Sequence, residues 1–285
     1  MKKNIYQLFI ALLAFGFITS CVDDEGTLPG NDSEPVATVY QYAPSRPYNA
    51  DNDIIIRVAA NDKTVEAYYL VEKTADISMS ESAYMDYVVS NGTKLAGISG
   101  ESTADVILTN LFGDYTITVV AVGNGTKTSA KTTFSGLDWT DVATGTYYFA
   151  GSGFTASATA NLQNLFGTST PTVLQVCTTD SKLYRFKDVF GAGYSMKINM
   201  LTLTGNDEDG EYTFFRIPVA ETPAIYGNYG TVSVRDIGYW QGSDAWVTDN
   251  GYESGMYGDY YCFLFIQYFV SAGSLGYGYD FFVPD

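Results

Sequence analysis

The stretch Leu111-Phe112-Gly113-Asp114-Tyr115-Thr116-Ile117-Thr118-Val119-Val120-Ala121-Val122-Gly123-Asn124-Gly125 decides the fold class. Its Val, Ile, Thr and Tyr content and its short-period patterning are those of a strand. Asn124-Gly125 is a dipeptide that readily takes the two positive φ values of a tight hairpin turn. The segment therefore predicts a strand over Tyr115 to Val122 and a return strand over Ser129 to Phe134. Working toward the N-terminus, similar runs predict strands at Ile54 to Ala59, Ala67 to Glu72 and Ala104 to Leu108. One segment departs from the pattern. Between Ser78 and Asn91, Ser78 and Glu81 have capping-box spacing, Tyr84, Tyr87 and Val88 share a helical face, and Gly92 stops the helix. Residues 36–136 thus read as a β-sandwich with a short inserted helix.

Beyond Gly136, strand-like runs recur at Tyr147 to Phe149, Val173 to Thr178, Leu183 to Phe186, Ser195 to Leu203, Tyr212 to Ile217, Thr231 to Arg235, Tyr260 to Val270 and Tyr279 to Val283. That density over residues 137–285 predicts one antiparallel domain, either sandwich or barrel. The whole chain is expected to be all-β.

The N-terminus carries an address. Lys2 and Lys3 precede an apolar stretch from Leu8 to Ile18, too short to span a bilayer as a helix, and the order basic, apolar, small is that of an export signal. Residues 1–20 read as a signal peptide. The end of that segment, Ile18-Thr19-Ser20-Cys21, resembles a bacterial lipobox, which implies lipidation of Cys21. Residues 21–35, with Val22-Asp23-Asp24-Glu25-Gly26 followed by Gly, Pro, Asn and Ser, form an acidic flexible tether. The acidic run resembles the surface-export signal of Bacteroidota lipoproteins, which implies a lipid-anchored protein on the outer face of the outer membrane.

Two further resemblances bear on the domains. The 111–125 segment is similar to the fibronectin type III pattern Leu-x-x-x-Tyr-x-Val-x-Val. It implies an Ig-like sandwich whose Tyr115 hydroxyl returns to the backbone near Leu111 or Phe112. The strand C tryptophan of many members is absent, with Tyr68 or Tyr69 in its neighbourhood. The opening Leu137-Asp138-Trp139-Thr140-Asp141-Val142-Ala143-Thr144-Gly145-Thr146-Tyr147 and the later Leu183-Tyr184-Arg185-Phe186-Lys187 resemble motifs of β-rich domains in Bacteroidota surface lipoproteins, although Ala143 replaces the first glycine of the family pattern.

Composition narrows the chemistry. There are 32 acidic and 15 basic residues, for a net charge of -17, and such a chain repels phosphate backbones, so nucleic acid is not an expected partner. With no histidine, the chain lacks the usual general base and the commonest metal ligand. Glycoside hydrolysis needs only two carboxylates. Nothing in the sequence selects a pair, and the chain reads as non-catalytic.

Candidate binding residues come from the region rich in glycine and aromatic rings after Tyr226. Its loop Tyr239-Trp240-Gln241-Gly242-Ser243-Asp244-Ala245-Trp246 sets two indoles beside Gln241 and Asp244. Sugar rings stack on aromatic faces while polar neighbours take their hydroxyls. Tyr239, Trp240, Gln241, Asp244 and Trp246 are therefore the expected ligand-binding set. Tyr260, Tyr261, Phe263, Phe265 and Tyr268 read as strand packing. In Asn206-Asp207-Glu208-Asp209-Gly210-Glu211, four carboxylates in five residues suggest calcium, but the glycine is misplaced for an EF-hand loop and Asp209-Gly210 reads as a hairpin turn. No cofactor is implied. Cys177 and Cys262 either pair, as an exported compartment permits, or stay as buried thiols. The expected partner is a glycan, as implied by the lipoprotein resemblance, or alternatively a surface protein.

Overall fold

The computed structural model describes residues 33–236, 238 and 243–285. The expected signal peptide, the Cys21 lipidation site and all but the last residues of the tether lie outside the described residues. The chain divides into two compact units, one ending at Gly136 and the other running from Leu137 to Asp285. Strand accounts for 55% of the structure and helix for 14%, so both units are built on antiparallel β-sheet.

Unit 1 consists of two sheets. One is three-stranded, with β1 (Ala37–Tyr42), β2 (Ile54–Ala60) and β5 (Ser102–Leu108) in the order β1-β2-β5. The other combines β3 (Glu66–Lys73), β4 (Thr93–Lys94), β6 (Gly113–Gly123) and β7 (Thr126–Gly136) in the order β4-β3-β6-β7. The β6–β7 hairpin turns at Asn124 and Gly125, whose φ angles are 51° and 78°, as the dipeptide predicts. Ile54, Ile56 and Val58 from one sheet meet Ile117, Val119 and Ala121 from the other in the core.

Helix α1 (Glu81–Asn91) is inserted between β3 and β4, where the sequence places a helix, but it begins later than Ser78. Ser80 occupies the N-cap in extended conformation, its carbonyl accepting from the Tyr84 amide at 2.8 Å. Tyr84 and Val88 pack on Val120, closing a second apolar face on β6. The corner expected at Tyr115 is built differently. The Phe112 carbonyl accepts from Lys73 Nζ, which also lies 4.2 Å from the centre of the Tyr115 ring. The Leu111 carbonyl accepts from Asn52 Nδ2 at 3.2 Å. The lysine supplies a stronger, charged donor to the carbonyl that the tyrosine hydroxyl was expected to reach.

Unit 2 is a barrel, which settles the open choice between sandwich and barrel. Its strands are β8 (Trp139–Ser152), β9 (Ser169–Cys177), β10 (Leu183–Lys187), β11 (Met196–Asp207), β12 (Gly210–Arg216), β13 (Ala220–Ile225), β14 (Thr231–Asp236), β15 (Gly255–Tyr257), β16 (Cys262–Val270) and β17 (Gly273–Pro284). The order β16-β15-β12-β11-β10-β9-β8-β17 closes because β17 also pairs with β16, giving an 8-strand barrel. The β13–β14 hairpin joins the far half of β16, where Ser233 to Asp236 face Phe269 to Ile266. The short β15 fills the near half.

Helix α2 (Ala156–Phe166) follows β8, capped by the Thr155 hydroxyl and ended by Gly167 at φ 80°. The sequence reading missed it because its first half is Ala, Ser and Thr. Only Ala158, Leu162, Leu165 and Phe166 mark an apolar face. Among the described residues, no helix is long and apolar enough to cross a membrane.

The barrel interior holds Tyr147, Phe186, Met196, Ile198, Phe215, Leu264, Ile266, Tyr268 and Phe282. Among its buried polar groups is the acid Asp280. Asp280 is fully buried and accepts from the hydroxyls of Tyr147 (2.9 Å) and Tyr268 and from the Ala150 amide (2.7 Å). Loss of hydration pushes its pKa up to about 7 against the opposing effect of these donors, and burial likewise raises both tyrosines.

Cys177 and Cys262 are buried free thiols. Cys177 ends β9 opposite Trp139, whereas Cys262 starts β16 opposite Phe282, which faces Tyr147 on β8. They are thus separated by two intervening strands and by the β8 distance from Trp139 to Tyr147. A disulfide requires Cα atoms within about 7 Å.

Candidate binding face

The β16 sequence Cys262-Phe263-Leu264-Phe265-Ile266-Gln267-Tyr268 is apolar at almost every position, so alternation gives the strand two apolar faces. Cys262, Leu264, Ile266 and Tyr268 point inward with no more than marginal exposure. Phe263 and Phe265 point out. On β17, Asp280 and Phe282 are inside and Tyr277, Tyr279 and Phe281 outside, and the register sets Phe263 opposite Phe281 and Phe265 opposite Tyr279. Cross-strand aromatic pairs of this kind stabilise a sheet as well as lining its surface.

The rings continue onto the neighbouring strands. Tyr212 lies 5.0 Å from Phe263, 5.3 Å from Tyr257 and 5.3 Å from Phe214. Tyr261 bridges Tyr257 at 5.8 Å and Phe281 at 6.4 Å. Phe265 stacks on Tyr252 at 4.5 Å and meets Tyr279 edge-on at 4.9 Å. Gly255 makes this closeness possible, since a Cβ there would lie 2.6 Å from the Phe263 ring and 2.7 Å from that of Tyr212.

Carboxylates and hydroxyls edge the face. Tyr257 donates to Asp207 at 2.5 Å and Tyr279 to the Gly251 carbonyl at 3.1 Å. The Tyr257 bond holds the Asp207 carboxyl below its ordinary range. Burial, seconded by nearby carboxylates, raises Tyr212, Tyr257, Tyr261 and Tyr279. The tyrosines therefore stay neutral hydroxyls at physiological pH, able to donate and accept. Phe214 and Phe265 are buried within the set, Tyr212, Tyr257, Tyr261, Phe263, Tyr279 and Phe281 are half-buried, and Tyr277 is 49% exposed.

Of the expected binding loop, Tyr239, Trp240 and Gln241 lie outside the described residues. Asp244 opens a six-residue helix α3 (Asp244–Asp249), whose Ser243 cap accepts from the Trp246 amide at 3.0 Å. Trp246 is half-buried and 5.6 Å from Tyr252, at the margin of the ring face. Tyr261, Phe263 and Phe265, read from sequence as strand packing, do pack, but on the outer wall. Tyr212, Phe214, Tyr277, Tyr279 and Phe281 were not singled out. For Tyr277 and Tyr279 the signal was the Gly-Tyr alternation at 276–279, legible only once the register with β16 is known.

The acidic run forms the β11–β12 turn, where Asp207 accepts from the Asp209 amide at 3.0 Å. Among the described residues, no group of three or more acidic, cysteine or histidine side chains is placed to hold a metal. The residues behind the lipoprotein resemblance in unit 2 meet one another. Asp141, Gln175 and Arg185 lie in one row across β8, β9 and β10, linked by hydrogen bonds of 2.5 and 2.7 Å, and the Arg185 guanidinium sits 4.3 Å from the Trp139 ring centre. This row braces the wall.

No protein-family model matches the chain, and no curated protein matches it. Among solved structures, a Kfla1895 mutant in complex with cyclobis-(1->6)-alpha-nigerosyl is similar at 11% identity over 84% of this chain, with a TM-score of 0.24. The match spans 30% of that protein, and a likeness this low carries no argument about fold or function.

Proposed function

We propose that the chain is a non-catalytic, lipid-anchored protein of the outer-membrane surface in which unit 1 is a spacer and unit 2 binds glycan on its outer aromatic face. The observation that carries this reading is the continuous set of rings across β12, β15, β16 and β17, edged by tyrosine hydroxyls and by Asp207. Sugar faces stack on such rings, and edge hydroxyls and carboxylates take the equatorial OH groups. The three-and-four sheet arrangement of unit 1 supports an Ig or fibronectin type III-like spacer, a fold that by itself implies no activity. The lipobox resemblance at Cys21 supports the anchor.

A second reading, adhesion to a surface protein, is favoured by the position of the rings on the outer wall of a barrel, since small ligands are usually held in concave sites. A glycan array probed with the purified chain, with and without calcium, separates the two. The glycan reading expects a specific signal that falls in Trp246→Ala and in Trp240→Ala, while both variants keep the wild-type melting temperature. A blank array together with partner capture dependent on the same rings assigns the face to protein adhesion.

A further inference from the structure

At one end of the barrel, away from the rings described above, lies a cavity of about 410 Å³. Phe149, Phe166 and Phe190 form its floor, with ring centres 5.5 to 6.0 Å apart. Leu165 of α2, Val189 and Ala224 of β13 make walls, and Thr170 of β9 contributes a hydroxyl. None of the lining residues carries a charge.

The walls are preformed. The 188–195 loop is pinned by the Ser195 hydroxyl on the Asp188 amide (2.9 Å), by Asp188 Oδ1 on the Gly193 amide (2.9 Å) and by the Phe190 amide on the Tyr194 carbonyl (3.1 Å). Opposite it, Thr222 donates to the Val232 carbonyl at 2.8 Å and accepts from the Ala224 amide at 3.2 Å. A pocket held open by its own hydrogen bonds charges little ordering cost to an incoming molecule. Thr170 Oγ1 reaches only the Pro171 carbonyl, at 3.5 Å, a marginal bond that leaves the hydroxyl able to serve a ligand.

We propose that this end of the barrel binds one neutral small molecule with an aromatic or branched body and hydrogen-bonding capacity at its edge. The volume lies within the range of small-molecule sites, and eight-stranded barrels hold single small ligands. A charged ligand would lose its hydration with no counter-charge in the lining.

The test is titration of the full chain with N-phenyl-1-naphthylamine, a neutral aromatic amine, followed by its fluorescence. Saturable binding of one dye is expected, weakened at least about tenfold by Ala224→Trp, which fills the cavity, and about threefold by Thr170→Val, which removes one hydrogen bond. Tyr277→Ala, on the outer face, should bind the dye as the wild type does. Dye-induced methyl shifts at Leu165, Val189 and Ala224 of the wild-type protein locate the site even if Ala224→Trp does not fold. Absence of saturable binding, unshifted methyls, or loss of binding in Tyr277→Ala overturns the proposal, and the last outcome would place the dye on the outer rings instead.

Discussion

Both units contain a strand that is apolar on two sides, and they treat it differently. In unit 1, β6 is buried from Thr116 to Ala121 because the opposing sheet covers one face and α1 covers the other with Tyr84 and Val88. In unit 2, β16 has its inner face in the barrel core. Among the described residues, the outer rings of β16 and β17 meet one another, Tyr252 and the rings of β12 and β15, while Phe269 lies under the Arg235 guanidinium and Tyr277 stays 49% exposed. A surplus apolar face that the chain covers itself is architecture, whereas one left on the surface as a contiguous aromatic patch is where soluble proteins meet partners. The contrast is the physical basis for assigning binding to unit 2.

The largest expected effect breaks the covered face. Val120→Asp places a carboxylate between β6 and α1 and should cost at least about 3 kcal/mol, unfolding unit 1 in a urea titration. Tyr277→Asp, on the uncovered face, should cost under about 1 kcal/mol. Equal losses would mean that the two faces are buried alike.

Next in size is the internal acid. Asp280 has a folded-state pKa of about 7, raised above its ordinary 3.8, so the folded form holds a proton that the unfolded form releases between those values. The associated stability is fully present below the unfolded pKa and is lost as pH rises through the folded one, so wild-type stability should decline from pH 4 to pH 7. Asp280→Asn, measured by urea midpoint at pH 5 and pH 7, should flatten that component of the decline.

A smaller effect is expected from Gly255→Ala, whose new methyl meets the Phe263 and Tyr212 rings. It should destabilise unit 2 by about 1–3 kcal/mol and disturb the near-ultraviolet circular dichroism of the stacked tyrosines. Smallest is the thiol pair, for which Cys262→Ala should shift the melting temperature only by the loss of a small buried side chain. Denatured, unreduced protein should show Cys177 and Cys262 both reactive, unlike a disulfide-linked pair.

These contrasts also mark what could be read from residues alone. The β6–β7 hairpin, the helix at Glu81–Asn91 and the main barrel strands follow from local patterning, because Asn124-Gly125, Gly92 and the β-branched runs each restrict the backbone where they stand. Strand β1 and the short β4, β13 and β15 were missed; β4 and β15 are only two and three residues long and β13 carries Pro223, so these three show no strand pattern of their own. The turn role of Asp207 to Gly210 was legible. The ring face was not, because which side of β16 lies outside depends on closure with β17, and sequence reasoning weighted the Trp240 to Trp246 loop over Tyr212, Tyr279 and Phe281. The lysine at Phe112 was likewise invisible, as Lys73 and Phe112 are far apart in the chain.

The most direct measurement is a glycan array read side by side for the wild-type chain and Tyr277→Ala/Tyr261→Ala, with both proteins matched in melting temperature. The account predicts a specific wild-type glycan signal that drops at least about tenfold in the double variant. A wild-type signal that survives unchanged without these two rings would contradict the assignment of binding to the outer face of β16 and β17.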